Sequence, residues 1–283
     1  MKSAQLLFRE LVTALEGIYD KQEAESIARI VFREKLGLSR IDMALQKEKM
    51  LNEDSQNIIS NISEKLLKGE PVQQVLGGAD FFGLKLRVNS HVLIPRYETE
   101  ELVQLVIDEN KKDGLHILDI GTGSGCIAIA LAVHSKNAEL TGVDISQKAL
   151  ELAHVNAIAN DVTIDLVNLD ILNILNWKKL GVFDIIVSNP PYVLESEKSQ
   201  MHINVLNYEP HQALFVPDHD PLLFYDKISD MALRHLSKNG KLYFEINEAY
   251  GNNIKQMLED KGFKHVEVIN DIHNKNRFVR SGI

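Results

Sequence analysis

Residues 116–125 read HILDIGTGSG, an apolar run that leads into three alternating glycines. The apolar run predicts a buried strand, and the apolar segment 126–133 that follows it predicts a helix. Glycines between a strand and a helix let the turn adopt positive φ angles and let its backbone approach a ligand closely. Ligands of open parallel sheets collect at the C-terminal ends of strands. This stretch therefore predicts a site for a nucleotide-like ligand.

The chain around this stretch alternates between helical and strand patterns from about Glu98 onward. Strands are predicted at 116–120, 140–143, 164–169, 183–188 and 242–246. With helices between them, this order predicts an α/β fold whose mostly parallel, Rossmann-like sheet is covered by helices on both faces. Two further strand patterns, at 264–269 and 277–280, leave no room for a helix between them. They predict an antiparallel pair at the sheet edge.

The N-terminal part differs from the rest, and we predict a small helical domain at 1–72. Apolar residues there recur at spacings of three and four, as in the series Leu7, Leu11 and Leu15. Helix caps and stops are predicted at Asp20 with Glu23, Ser39 with Asp42, Gly37 and Gly69. Residues 73–97 predict a β-hairpin linker with strands at 84–88 and 92–94, and residues 98–283 predict the catalytic domain. The helical domain is equally consistent with a scaffold and with a partner-docking surface.

The composition excludes several classes of protein. Of the 283 residues, 45% are hydrophobic and 25% are charged, which is typical of a soluble globular chain. No apolar run is long enough for a membrane span, and the N-terminus has no export signal. Cys126 is the only cysteine, which excludes an intrachain disulfide and fits a cytoplasmic location. The net charge of -9 argues against stable nucleic-acid binding.

The spacing of the glycines indicates which ligand binds. A dinucleotide fingerprint would place its third glycine at position 126, which is Cys126, whereas Gly-x-Gly-x-Gly resembles the S-adenosylmethionine signature. Asp144 ends the next strand, where a carboxylate can accept hydrogen bonds from both ribose hydroxyls. Asp170 could accept from the adenine amino group while Ile171 packs on the ring. Asp119 could orient the loop or receive the methionine ammonium.

A second motif, Asn189, Pro190, Pro191 and Tyr192, follows the strand 183–188 directly and therefore lies beside the cofactor. The lone pair of an amide or aromatic amine nitrogen is delocalised, so the nitrogen needs help to present it. If the Asn189 side-chain oxygen and the Pro190 carbonyl each accept one N–H, they steer the lone pair toward the methyl donor. The prolines stiffen the loop, and Tyr192 offers a flat face for a planar acceptor.

The motif at 189–192 resembles the amino-methyltransferases, and other segments resemble the peptide chain release factor glutamine methyltransferase family over nearly the whole chain. These segments are 70–77, 93–100, 118–132, 143–145 and 187–192. The resemblance implies a class I methyltransferase fold that uses S-adenosylmethionine and releases S-adenosylhomocysteine. It implies methylation of the glutamine in the Gly-Gly-Gln motif of class 1 release factors.

The resemblance also implies roles for particular residues. The residues that match the family's cofactor contacts are Gly121, Thr122, Gly123, Ser124, Gly125, Asp144 and Asn189. The loop 189–192 would also hold the glutamine, and Pro95 and Arg96 would lie near the pocket mouth. The chain departs from the family pattern at Gln74, where an aromatic residue is common, and at 216–222, where glycines are usual.

Other functions compete with this interpretation. A nucleic-acid methyltransferase would have a basic face and a target-recognition domain, and the sequence indicates neither. A ribosomal-protein glutamine methyltransferase shares the chemistry and differs mainly outside the core. A binding module that is not an enzyme would be expected to lose Asn189 or Asp144. No metal site is expected, because the histidines lack ligand spacing and residues 218–220 predict an exposed turn before Pro221.

Overall fold

The computed structural model describes residues 2–45 and 50–283. It has two compact units. One comprises Met1–Gly77 with His202–Tyr208, and the other comprises Gly78–Met201 with Glu209–Ile283. The predicted division at residues 72 and 97 stays a prediction. Within the described residues, no helix has both the length and the apolar character needed to cross a membrane.

The helices are α1 (Ala4–Leu15), α2 (Lys21–Leu36), α3 (Arg40–Leu45), α4 (Glu53–Leu66), α5 (Val72–Leu76), α6 (Tyr97–Glu109), α7 (Cys126–His134), α8 (Gln147–Ala159), α9 (Ile203–Tyr208), α10 (Leu223–His235) and α11 (Gly251–Asp260). The strands are β1 (Ala79–Phe81), β2 (Leu84–Leu86), β3 (His116–Ile120), β4 (Glu139–Asp144), β5 (Asp165–Asn168), β6 (Phe183–Ser188), β7 (Val193–Leu194), β8 (Phe215–Val216), β9 (Leu236–Glu245), β10 (Lys264–Asn270) and β11 (Asn276–Gly282).

The helical unit buries the apolar faces that the sequence pattern predicted. Leu7, Leu11 and Leu15 of α1 pack into one core with residues of α2 and α4. The predicted caps are confirmed: the Asp20 side chain accepts from the backbone N–H of Glu23, and the Ser39 hydroxyl accepts from that of Asp42. The two predicted stops, Gly37 and Gly69, have positive φ angles. The caps satisfy backbone N–H groups that have no partner inside a helix.

The second unit, Gly78–Met201 with Glu209–Ile283, holds most of the predicted catalytic domain and is named the catalytic unit. It contains a seven-stranded sheet in the order β10-β11-β9-β6-β3-β4-β5. Neighbouring strands from β9 through β5 pair in parallel, and β11 pairs antiparallel with both β9 and β10. The predicted α/β class, with its antiparallel edge strands, is therefore confirmed. The sheet is buried on both faces by two apolar clusters, which explains why its central strands are continuous apolar runs.

The hairpin lies within the predicted linker 73–97, and its second strand overlaps the predicted 84–88, but its other strand is not 92–94. Its strands are β1 and β2, joined by Phe82 and Gly83, which both have positive φ angles. Such angles are typical of a tight hairpin turn. Residues 92–94 form no strand, although Val92 and Ile94 are buried. The expectation of a strand there was wrong. The apolar pattern correctly predicts that these residues are buried, but they are buried without pairing to another strand.

Strand β9 is longer than the predicted 242–246. Its first half is polar and includes Asn239 and Gly240, which do not favour a strand by themselves. Leu236 nevertheless pairs with Phe183 of β6. Lys241 pairs with Ile185 of β6 on one side and with Gly282 of β11 on the other. Pairing with neighbours on both sides therefore extends the strand beyond its apolar residues.

Candidate active site

A cavity of about 370 Å³ lies at the C-terminal ends of the parallel strands, within the catalytic unit. Its walls come from the segments that follow β3, β4, β5 and β6, together with the chain before α6 and the loop before β8. The predicted site residues in its wall are Pro95, Arg96, Gly121, Thr122, Gly123, Ser124, Asp144, Asp170, Ile171, Asn189, Pro190 and Pro191. The topology thus brings together residues that are far apart in the sequence.

The glycine-rich loop after β3 has the positive φ angles that its sequence predicted, at Gly121, Gly123 and Gly125. It is anchored to β4, because the backbone N–H groups of Gly121 and Thr122 both donate to the Val143 carbonyl. A Cβ on Gly121 would lie 4.0 Å from the Asn189 carbonyl oxygen, so the glycine loop and the acceptor loop meet there.

Gly125 is not part of the cavity wall and instead allows close helix packing. It precedes α7, and a Cβ at this position would lie 3.0 Å from Ile129 Cδ1 and 3.2 Å from Ala153 Cβ. The absence of a side chain at Gly125 therefore allows the start of α7 to pack closely against α8. Direct cofactor contact by Gly125 stays a prediction.

Asp119 lies behind the loop and does not line the cavity. It is 0% exposed, and its Oδ2 accepts a hydrogen bond of 2.7 Å from the Thr122 hydroxyl. Its Oδ1 has no hydrogen-bond partner among the described residues. Burial raises the pKa of the Asp119 carboxyl to about 7. Two roles were predicted for Asp119. Its hydrogen bond with Thr122 supports the first, orientation of the loop, and the second, contact with an ammonium group, stays a prediction.

Asp144 ends β4 and faces the cavity. Its Oδ2 accepts from the Gly123 N–H at 2.9 Å, and its Oδ1 accepts from the Ser146 N–H at 2.8 Å. Burial raises the pKa of this carboxyl, and backbone hydrogen bonds from Ser146, Gly123 and Ile145 oppose the rise. Because a carboxylate has about four acceptor positions, each oxygen can accept one further hydrogen bond. Two neighbouring hydroxyl groups could therefore bind here.

Asp170 and Ile171 form the wall after β5. Asp170 Oδ1 accepts from the Leu172 N–H at 2.9 Å, which shapes the turn and leaves Oδ2 as an acceptor. Leu169, Ile171 and Leu172 line the cavity beside it. A single carboxylate at the edge of an apolar wall suits a planar heterocycle with one amino group.

The acceptor loop brings Asn189, Pro190 and Pro191 to the cavity, as the sequence predicted, but Tyr192 is not part of its wall. Tyr192 packs against the core of the catalytic unit, and its hydroxyl donates to Glu245 Oε1 at 3.1 Å. The Tyr192 carbonyl accepts from the side-chain amide of Asn247 at 3.2 Å. These contacts hold the end of the loop, and stacking of a substrate on the Tyr192 ring stays a prediction.

Two buried polar residues behind this loop, Thr99 and Glu245, were not predicted from the sequence. Thr99 is 3% exposed and lines the cavity, and Glu245 is 1% exposed at the end of β9. The Thr99 hydroxyl lies 2.7 Å from Glu245 Oε2. A signal did exist, since Glu245 is a charged residue inside the apolar strand pattern 242–246.

A third missed residue, Glu209, lies next to residues of the cavity wall. Its Oε1 binds Arg96 Nη2 at 2.6 Å, and its Oε2 accepts from the Ile94 N–H at 3.0 Å. Pro95 and Pro210 line the cavity next to this pair. The predicted mouth residue Arg96 is therefore held by an ion pair whose carboxylate is buried.

Cys126 and Asp218 have no role in the predicted chemistry, and the structure agrees with this. Cys126 lines the cavity, and burial raises the pKa of its thiol to about 12, which disfavours the reactive thiolate. Asp218 lies in a turn, where it accepts from the backbone and the hydroxyl of Ser196. Among residues 2–45 and 50–283, no group of three or more His, Cys, Asp or Glu side chains is placed to hold a metal ion.

Comparisons with known proteins agree with this architecture. A family model described as "Methyltransferase small domain" matches residues 99–214, and one described as "PrmC N-terminal domain" matches residues 7–77. A protein of Flavobacterium psychrophilum named "Release factor glutamine methyltransferase" is 45% identical over 276 residues, which cover 96% of each chain. A protein of the same name from Bacteroides thetaiotaomicron is 42% identical and covers 94% of this chain and 95% of its own.

Among solved structures, a methyltransferase from Pyrococcus furiosus matches with a TM-score of 0.52 at 20% identity. The match covers 79% of this chain and 98% of that one. It supports the class I methyltransferase fold of the catalytic unit.

Proposed function

The chain belongs to the release factor glutamine methyltransferase family, and from this membership we propose that it methylates the side-chain amide nitrogen of a glutamine in class 1 peptide chain release factors. By the family resemblance, the target is the glutamine of the Gly-Gly-Gln motif. The observation that carries the proposal is the position of Asn189, Pro190 and Pro191 in the wall of the same cavity as the glycine loop and Asp144.

The residues of the cavity fit S-adenosylmethionine. Asp144 has acceptor positions for two ribose hydroxyls, and the wall at Asp170 and Ile171 suits adenine. Ser124 lines the cavity with a buried hydroxyl oxygen that has no partner among the described residues, so a polar ligand group would satisfy it. When bound, the cofactor supplies a methyl group carried on a positively charged sulfur.

The acceptor loop provides two oxygens for the amide of the substrate. The Asn189 side-chain oxygen and the Pro190 carbonyl would each accept one N–H of the glutamine, which holds the nitrogen and directs its lone pair. Charge that develops on nitrogen is stabilised by the same two acceptors. Methylation itself makes the nitrogen proton acidic, so the loop needs no strong base. The role of the protein is mainly to position the amide.

The helical unit is assigned a docking role within the same proposal. It matches the N-terminal domain model of the family, and the segment His202–Tyr208, which follows the acceptor loop in sequence, belongs to it. Gln74 departs from the family pattern, and its side chain donates to the Tyr208 carbonyl at 3.0 Å. This hydrogen bond gives a structural reason for a polar residue at that position.

The alternative acceptors can be tested in one reaction. Release factor, ribosomal protein, ribosomal RNA and duplex DNA are incubated together with the protein and cofactor that carries a radiolabelled methyl group. The proposal predicts label in release factor, since the relatives are named for this substrate and the net charge of -9 disfavours nucleic acid. Label recovered chiefly in nucleic acid or ribosomal protein would contradict it.

A further inference from the structure

A chain of side-chain hydrogen bonds runs from the core to the acceptor loop. Glu245 accepts twice: its Oε2 from the Thr99 hydroxyl at 2.7 Å, and its Oε1 from the Tyr192 hydroxyl at 3.1 Å. Thr99 Oγ1 in turn accepts a hydrogen bond of 3.1 Å from Asn189 Nδ2. The order of donors and acceptors is therefore Asn189 to Thr99 to Glu245.

The direction of this chain follows from the chemistry of its members. An ionised carboxylate only accepts hydrogen bonds, so the single hydroxyl proton of Thr99 must point toward Glu245. The Thr99 oxygen then has only lone pairs to offer Asn189, and it binds the N–H side of the amide. This leaves Asn189 Oδ1 as the polar atom available to a ligand.

Without Thr99, the orientation of the Asn189 amide would not be defined. The NH₂ group and the oxygen of an asparagine have nearly the same size, so shape alone does not distinguish the two orientations. A reversed amide would present N–H groups to the substrate and would accept nothing from it. The hydrogen bond to Thr99 is what makes one orientation more stable than the other.

The surroundings of Glu245 act in both directions on its ionisation, and the chain requires an Oε2 that carries no proton. Burial raises the pKa of Glu245, while the hydrogen bonds from Thr99 and Tyr192 and the nearby charge of Arg277 lower it. Glu98 is the acidic neighbour that opposes them. Arg277 is itself held by Asp271, whose carboxylate lies 3.2 Å from Arg277 Nε. Burial is the largest of these effects and leaves the pKa of Glu245 raised, but each of its carboxylate oxygens has a hydroxyl donor, and the donor on Oε2 is Thr99.

We propose that Thr99 and Glu245 are positioning residues that fix Asn189 with its oxygen toward the substrate, and that they thereby select an amide over a carboxylate. The inference rests on the proposed function, because it takes glutamine as the substrate. A glutamine offers N–H groups to Asn189 Oδ1. A glutamate of the same shape offers only negatively charged oxygens, which this oxygen repels.

The experiment compares Thr99→Val, which removes the hydroxyl and keeps the shape, with Thr99→Ser, which keeps the hydroxyl. Methylation of release factor is measured for the full chain, and binding of S-adenosylhomocysteine is measured by calorimetry. Thr99→Val should lower kcat about 10- to 100-fold, because small misplacements of a reacting group have effects of this size. Thr99→Ser should recover most of the loss. The affinity for S-adenosylhomocysteine should change little in both, since the Thr99 side chain bonds Glu245 and Asn189 rather than the residues assigned to the ribose and adenine.

A second readout separates orientation from general damage to the site. With S-adenosylhomocysteine saturating, binding of release factor is measured with glutamine and with glutamate at the target position. The wild type should prefer glutamine, and Thr99→Val should reduce this preference about tenfold, because a freed Asn189 amide can turn its N–H groups to the carboxylate. If Thr99 had only a structural role, Thr99→Val would weaken the binding of the glutamine and glutamate forms of release factor equally.

Each outcome decides between the alternatives. If Thr99→Val keeps the wild-type rate and preference, or if Thr99→Ser is as impaired as Thr99→Val, the inference is wrong. If Thr99→Val does not fold, Glu245→Gln is used instead. The amide of this glutamine can donate to the Thr99 oxygen, which then no longer has to accept from Asn189. The preference for glutamine in the substrate should fall in the same way. If the wild-type protein does not methylate release factor, the proposed function itself is wrong. If the wild type is active and the variants have the same rate and the same preference for glutamine, only this inference is wrong.

Discussion

Arg96 Nη2 lies 2.6 Å from Glu209 Oε1, which joins two segments that contribute to the cavity wall. The second oxygen of Glu209 accepts from the Ile94 N–H, and the residue is 5% exposed. Removing one member of a buried pair leaves its partners unpaired, which costs more than the pair itself contributes. One buried carboxylate therefore fixes the segment that contains Pro95 and Arg96.

Glu209→Ala should lower the free energy of unfolding by roughly 2 kcal/mol, because Ile94 and Arg96 both lose their acceptor. Glu209→Gln should cost less, since its oxygen can still accept from Ile94. Arg96→Ala should also cost less, because this side chain is about one-third exposed and its charge is screened by solvent. Urea denaturation of the three variants provides the measurement. Equal midpoints for Glu209→Ala and the wild type would contradict the assigned role.

Asp144→Ala should remove most of the stabilisation by the cofactor product. Saturating S-adenosylhomocysteine, at about 100 times its dissociation constant, should stabilise the wild type by roughly 2.7 kcal/mol. The variant loses the proposed ribose acceptors and should show a much smaller shift of its melting curve. Asp165→Ala is the matched control. Asp165 is an exposed aspartate at the first residue of β5, whereas Asp144 is at the last residue of the neighbouring strand β4. A wild-type melting curve that does not move with ligand would count against the cofactor assignment.

Asn189→Ala should lower the rate of methylation on the order of 100- to 1,000-fold, because it removes one of two preorganised acceptors at the reacting nitrogen. Affinity for S-adenosylhomocysteine should change much less, since the ribose and adenine contacts are assigned to Asp144, Asp170 and Ile171. Single-turnover kinetics and calorimetry measure the two effects separately. Asn252→Ala, at an exposed position of α11, is the control. Near wild-type methylation by a cofactor-binding Asn189→Ala would show that the loop acts differently.

Asp119 should make the stability of the protein depend on pH. Burial raises the pKa of this carboxyl from 3.8 to about 7, so the folded protein binds the proton more tightly than the unfolded chain. This contribution is fully present below pH 3.8 and is lost as the pH rises to about 7. Asp119→Asn keeps an oxygen for Thr122 and does not titrate. Between pH 5 and pH 8 the wild type should therefore lose roughly 2 to 3 kcal/mol relative to this variant.

Urea unfolding of both proteins across this range provides the measurement. The difference between them reports mainly on Asp119, because Glu245, whose pKa is also raised, is common to both, and the charge of Asp144 is the smallest of the causes of the Asp119 shift. Parallel curves for the two proteins would indicate that Asp119 ionises normally in the folded state.

The sequence predicted the parts of the site that local patterns determine. Glycine spacing and a carboxylate at a strand end are local signals, and Gly121, Asp144 and Asn189 lie in one cavity as expected. The resemblance to the family is confirmed by relatives that match nearly the full chain. Local patterns could not place Asp119 behind the loop, because the direction of its side chain depends on packing against the neighbouring strands.

The residues that were missed act through partners distant in sequence. Thr99 reads as an ordinary residue in the first turn of a helix, and Glu209 as a polar residue before a proline. Their hydrogen bonds join positions separated by 146 residues for Thr99 and Glu245 and by 113 for Arg96 and Glu209. Only the parallel sheet and its loops bring such pairs together. In the same way, the length of β9 depends on its partners β6 and β11 rather than on its own residues.

The most direct test of the central claim is mass spectrometry that locates the methyl group. Purified class 1 release factor, produced without this modification, is incubated with the protein and S-adenosylmethionine, digested and sequenced by fragmentation. The account predicts one added methyl group on the glutamine of the Gly-Gly-Gln motif, and none when that glutamine is replaced by glutamate. A methyl group found on another residue, or an unmodified glutamine after incubation with protein that binds the cofactor, would contradict the account.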